Sequence, residues 1–177
     1  MVESEVSGVM FTANPVTSDK DEIVIESSYG LGEYIVQGII TPDKYVIEKD
    51  KLGIKNKDLG SKDKMCVYKN EKNISLNVPE NLRKKFTLNE NQIKELSKLG
   101  IEIDVHYGFP WVIEWAIENG KFYITQSRPI TTLSALSTIK EKSNLPSWEL
   151  KLLFSWGLMP GKIYIIANYV DTASQLE

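Results

Sequence analysis

Apolar positions recur in short runs separated by glycine, proline and charged turns, a spacing that predicts strands more often than helices. Val6–Thr12 is a β-rich run stopped at Ala13-Asn14-Pro15, because the residue before a proline is pushed out of helical space. Asp21–Glu26 predicts a second strand through Ile23, Val24 and Ile25, and Tyr45–Ile47 a third. Met65–Tyr68 is a candidate fourth. Between Gly30 and Ile40 two glycines open a loop that leads into an apolar stretch read as a short helix. From Asn89 to about His106 the spacing changes to steps of three and four: Ile93, Leu96, Gly100, Ile103 and Tyr107 form one stripe, which predicts a helix with Thr87 and Glu90 at capping-box spacing. Trp111–Ile117 and Phe122–Ser127 are two β-rich runs joined by Glu118-Asn119-Gly120-Lys121, a short-range hairpin signal. The class expected is α+β: a mainly antiparallel sheet built from the Val6, Ile23, Tyr45, Trp111 and Phe122 runs, with the long helix packed on one face.

Beyond Thr132 the character changes, and a boundary is expected near residue 134. Residues 133–144 are polar, Pro146 interrupts, and Trp148–Tyr169 carries apolar residues without a repeat, so 134–177 is read as a linker or appendage. Its Trp148, Trp156 and Leu152–Phe154 suit either packing back on the domain or covering a partner. No period of 20–50 residues marks a repeat architecture.

Composition narrows the function classes. With 42% apolar residues, 25% charged residues and a net charge of -3, the chain lies near the soluble globular average and far from a phosphate-backbone binder. Nucleic acid and membrane are therefore not expected partners, and a cytoplasmic setting is. The single cysteine, Cys66, cannot form an internal disulfide, and in Met65-Cys66-Val67-Tyr68 it reads as a small apolar strand residue. Lys49–Lys64, rich in Lys and Asp, reads as a solvated hairpin or loop; its lysines binding phosphate is the sharper alternative.

The hairpin carries the candidate chemistry: a carboxylate, Glu114, on its first strand, and an amide and a guanidinium, Gln126 and Arg128, on its second. Residues two apart on a strand share a face, so Gln126 and Arg128 point the same way. A two-residue Asn119-Gly120 loop sets Glu114 opposite Thr125 and sends Gln126 to the other face. A three-residue loop with a glycine bulge brings Glu114, Gln126 and Arg128 together. In that case the oxygens of Glu114 and Gln126 suit Mg²⁺ and Arg128 suits a phosphoryl group. The plain alternative is a surface hairpin with polar residues on its wet face.

The Trp111–Ala116 and Phe122–Thr132 segments, with Gln126-Ser127-Arg128-Pro129, resemble the end of the ATP-binding domain of the phosphoenolpyruvate synthase and pyruvate phosphate dikinase family, rifampicin phosphotransferases included. The resemblance also covers Ser7–Thr12, Ser28–Glu33 with its Gly-Leu-Gly-Glu, Val36-Gln37-Gly38 and Thr41-Pro42-Asp43, in order through about residues 5 to 133. It implies the carboxyl-terminal subdomain of an ATP-grasp domain over 1–133, binding ATP and Mg²⁺, with the phosphoryl group passing to a histidine on a separate domain. Position by position, Glu114 and Gln126 match the metal ligands and Arg128 the phosphate-stabilising arginine. Glu33 matches a nucleotide contact, a purely structural glycine turn being the alternative there.

Two departures stand against that pattern. Val112 occupies a position where the family commonly has Asp, and the lysine-bearing early half of the domain is expected before residue 1, supplied in cis or in trans. A fragment inactive alone is therefore expected, and a non-catalytic remnant or split subunit that docks a partner is the competing reading. His106, the only histidine, reads as a packed helix-end residue of the nucleotide domain; the phosphocarrier reading competes with it.

Overall fold

The computed structural model describes residues 2–69 and 71–130, and one compact unit ends at Ile130. The expectations made for residues 134–177, the tryptophans included, lie outside the described residues.

Among the described residues eight strands form: β1 (Val6–Phe11), β2 (Glu22–Tyr29), β3 (Asp43–Glu48), β4 (Gly53–Asp58), β5 (Lys64–Lys69), β6 (Lys72–Asn77), β7 (Trp111–Glu118) and β8 (Lys121–Pro129). Three helices accompany them: α1 (Glu33–Val36), α2 (Glu80–Arg83) and α3 (Glu90–Tyr107). Six strands make one sheet in the order β4-β3-β2-β1-β7-β8, with every neighbouring pair antiparallel. All five runs expected in the sheet are in it, together with β4. The Met65 run is a strand as well, but β5 pairs with β6 in a separate two-stranded sheet. That sheet meets the main one at Gly30 and Leu31, where the Leu31 amide donates to the Cys66 carbonyl at 2.7 Å.

Strand parity sorts the side chains into two layers. Met10, Ile23, Ile25, Tyr45, Ile47, Trp111, Ile113, Trp115 and Ile117 face α3 and bury Leu88, Ile93 and Leu96. The opposite face carries a smaller cluster, Val9, Ile35 and Ile40, with Phe11, Tyr34 and Val112 against it. Helix and sheet approach closely at Gly100, where a β-carbon would sit 2.7 Å from Met10 Cε; within the sheet, one on Gly8 would sit 2.0 Å from the Glu26 carbonyl oxygen of the neighbouring strand. No helix among the described residues is long and apolar enough to cross a membrane.

Two local expectations are corrected. The residue capping α3 is Asn89, not Thr87: Asn89 Oδ1 accepts from the Gln92 amide while Gln92 Oε1 accepts from the Asn89 amide, both at 3.0 Å. Thr87 is drawn elsewhere, because its amide and hydroxyl both donate to Asp43 Oδ2, at 2.8 and 2.9 Å. The Lys49–Lys64 segment is not wholly solvated, since Lys62 is fully buried. Its ammonium pairs with Asp43 Oδ1, which also accepts from the Gly60 amide at 2.9 Å. A buried ammonium persists only with such a partner.

Candidate functional site

The hairpin is tight at its tip. Asn119 and Gly120 have φ of 50° and 74°, the left-handed pair that a two-residue turn of the right-twisted kind requires. Pairing then runs Glu118 with Lys121, Ile117 with Phe122, Ala116 with Tyr123 and Trp115 with Ile124. At the next step the register shifts: Glu114 pairs with Gln126 and Val112 with Arg128, leaving Thr125 as the extra residue. The loop therefore has two residues, against the three-residue loop that was expected to bring the groups together. A bulge inside β8 does what that loop was expected to do.

Glu114 and Val112 lie on the sheet face away from α3, since Trp111, Ile113 and Trp115 fill the core side. Gln126 and Arg128 are their partners on β8, the outermost and largely exposed strand. Arg128 Nη2 reaches Glu114 Oε1 at 3.5 Å, with the arginine side chain 54% and the glutamate 26% exposed. Val112, where the family commonly has Asp, packs against the Val9, Ile35 and Ile40 cluster.

Glu33 opens α1 and is exposed. Its Oε1 accepts from Gln37 Nε2 at 3.0 Å and its Oε2 from Asn73 Nδ2 at 2.9 Å, with the Cys66 thiol 3.6 Å away. Burial, with the Glu33 carboxylate beside it, pushes the Cys66 thiol up, which keeps it protonated. Cys66 is thus an inert strand residue. Glu33 and Glu114 line one open cleft of about 630 Å³, together with Ser7, Gln37, Ala116 and Tyr123. His106 is exposed in the last turn of α3, edge-on to Tyr107 with ring centroids 4.8 Å apart.

Two groups escaped sequence reasoning. Asn73, on β6, holds Glu33 from 40 residues away, a contact that no local pattern encodes. Glu26 pairs with Val9, which on its other side pairs with Glu114, so Glu26 lies on the Glu114 face two strands over. Burial raises the Glu26 carboxyl above its ordinary range, partly offset by Lys44. Strand parity from Ile23 and Ile25 carried that signal.

Among the described residues no group of three or more His, Cys, Asp or Glu is placed to hold an ion. Glu114 and Gln126 could hold a divalent cation only together with oxygens from a ligand, and such a donor set would suit Mg²⁺.

The family model for the pyruvate phosphate dikinase AMP/ATP-binding domain matches residues 1–147. A probable phosphoenolpyruvate synthase of Methanocaldococcus jannaschii is 39% identical over 180 residues, covering 100% of this chain and 15% of that protein. The phosphoenolpyruvate synthase of Pyrococcus furiosus is 44% identical over 91% of this chain and 21% of its own length. An uncharacterized phosphotransferase of Bacillus subtilis is 38% identical over 75% of this chain and 16% of its own. The chain thus spans about a fifth or less of the length of these relatives.

Proposed function

The chain belongs to the pyruvate phosphate dikinase AMP/ATP-binding family, and on that premise we propose that it is the metal and phosphate side of an ATP site in a cytoplasmic phosphotransferase resembling phosphoenolpyruvate synthase. In this reading residues 1–133 are the carboxyl-terminal subdomain of an ATP-grasp domain, and residues 134–177 are a linker or appendage. The phosphoryl group passes to a histidine on a separate domain, supplied in cis or in trans.

The observation that carries the reading is the convergence of Glu114, Gln126 and Arg128 on one face of the β7–β8 hairpin, beside a cleft that also takes in Glu33. A carboxylate and an amide oxygen opposite each other offer two hard ligands on one side of a cation. Glu114 and Gln126 would hold such a cation, and the chemistry it would supply there is charge neutralisation for a phosphoryl group. Arg128 presents a planar, permanently charged fork to a phosphoryl group, and an exposed guanidinium can turn towards it. Such preorganised charge supplies most of the catalysis in phosphoryl transfer. In the same reading Glu33, its carboxylate held by Gln37 and Asn73, accepts from a nucleotide hydroxyl or amine.

An amide-resolved NMR titration with Mg·ATP and with magnesium tripolyphosphate tests this. Both ligands are expected to shift Glu114, Gln126 and Arg128, and ATP alone to shift Gly32, Glu33 and Gln37. Spectra unchanged by either ligand at millimolar concentration would refute nucleotide binding and leave the chain as a docking module.

A further inference from the structure

Glu114 is the proposed metal ligand, yet its Oε1 lies 3.5 Å from Arg128 Nη2. The two groups proposed to act on different parts of the ligand therefore neutralise each other in this structure. We infer that Arg128 and a divalent cation compete for the Glu114 carboxylate, so that metal arrival releases the guanidinium towards the phosphate; this rests on the metal reading above.

The charge count supports competition. Among the described residues Glu33 and Glu114 are the charged ones lining the cleft, both acidic, and Arg128 is the cation paired with Glu114. A carboxylate oxygen directed to a guanidinium is not directed to a metal ion, and a cation brought beside a fixed guanidinium meets like charge. The pair is also easily parted. At 3.5 Å, with the arginine more than half exposed, it belongs to the weak class of surface ion pairs, stable enough to orient Arg128 and too weak to hold it against a divalent charge. The register makes the exchange local: Arg128 is two residues beyond Gln126, the direct partner of Glu114, so a side-chain rotation suffices and no strand has to move. Phosphate charge would then be met by an arginine freed in the same event that places the metal.

The inference has a sign that a purely cooperative site would not show. Manganous ion serves as the probe, its free concentration read from its magnetic resonance signal in titrations of the full 177-residue chain without nucleotide. Arg128→Ala is expected to tighten Mn²⁺ binding about two- to fivefold, the scale of a weak surface pair. Arg128→Lys, which keeps a charge near the carboxylate, should stay close to wild type. Lys121→Ala removes the same charge from the same hairpin, but Lys121 pairs in register with Glu118 and not Glu114, so it should leave the affinity unchanged. Equal affinities for wild type and Arg128→Ala, or an equal gain from Lys121→Ala, would overturn the competition. Mn²⁺ binding that survives intact in Glu114→Ala would instead remove the metal reading itself, and the inference with it.

Discussion

Glu114 and Gln126 stand directly opposite each other across β7 and β8 because Thr125, between Ile124 and Gln126, is an extra residue in the second strand. Without that bulge, continued pairing from the Asn119-Gly120 turn sends Gln126 and Arg128 towards Ile113 and Trp111, on the core face. The bulge keeps both on the Glu114 face at the cost of one interrupted step of the ladder. Deleting Thr125 should therefore remove the bulge and keep the pairing, since Gln126 then follows Ile124 in uninterrupted register. Cross-strand nuclear Overhauser contacts between Glu114 and Gln126 are expected to survive the deletion. Their replacement by contacts between Ile113 and Gln126 would place the extra residue elsewhere.

Gly8 and Gly100 should respond differently to the same substitution. A β-carbon at Gly8 meets backbone, the Glu26 carbonyl oxygen at 2.0 Å, and also the Trp115 ring at 2.6 Å. Neither neighbour can yield without moving the sheet, so Gly8→Ala should cost about 3 kcal/mol or more. At Gly100 the obstacle is the end of the flexible Met10 side chain, and alanine in mid-helix returns about 1 kcal/mol of propensity. Gly100→Ala should fall within about 1 kcal/mol of wild type in urea unfolding. Comparable losses at the two positions would contradict the packing described.

The hairpin was legible in the sequence because Asn119-Gly120 and two alternating runs encode a local event, and the α3 stripe was legible for the same reason. Whether Glu114 meets Gln126 was not, because one bulge residue inverts parity and Thr125 carries no local mark. Thr87 and Asn89 are both able caps, and the choice between them is made by Asp43, 44 residues from Thr87. Lys62 hid in a run of polar residues for a related reason: what buries it is a carboxylate 19 residues away. The family resemblance picked out Asp43 as part of a motif without saying that it fastens Gly60, Lys62 and Thr87 together.

That fastening should show in stability. Asp43→Ala leaves the Lys62 ammonium buried without its anion and strips the Gly60 and Thr87 donors of their acceptor, a loss of about 3–5 kcal/mol. Lys62→Met keeps most of the volume and leaves Asp43 with its remaining hydrogen bonds, so the loss should be smaller, about 1–3 kcal/mol. Asp43→Asn combined with Lys62→Met should recover part of the Asp43→Ala deficit in guanidinium unfolding. Single and double variants that all match wild type would show that the pair is not buried in solution.

Glu26 predicts a pH dependence of opposite sign to an ordinary ion-paired carboxylate. Burial raises its folded-state pKa above 4.5, with Lys44 opposing. The folded state therefore holds the proton more tightly than the unfolded state, so stability falls as pH rises from the unfolded value through the folded one, and stays at the lower level above it. Glu26→Gln removes the charge that burial penalises. The variant should be more stable than wild type at pH 7, with the advantage fading as pH falls through the raised folded value and gone below about 4. An advantage that persists undiminished at pH 3 would assign the gain to packing instead.

ATP binding by this chain should depend on a divalent cation more steeply than a cationic phosphate pocket would. The charged residues lining the cleft, Glu33 and Glu114, are both acidic, and the Arg128 guanidinium beside it is already in contact with Glu114. Bare ATP carries several negative charges into that field and meets net repulsion, whereas the magnesium complex brings the cation that Glu114 and Gln126 can ligate. One exposed hairpin face and one arginine support only weak binding, about millimolar for Mg·ATP, and chelating the metal should weaken it by tenfold or more. Calorimetry on the wild type with and without chelator reads this directly, and Glu114→Ala separates its cause. That variant should lose most of the magnesium dependence, because it deletes a ligand for the cation and a repulsive charge towards the bare nucleotide at once. A chain that binds metal-free ATP as well as Mg·ATP would mean that the phosphates are held by cations away from this hairpin, and the site would have to be sought elsewhere in the domain.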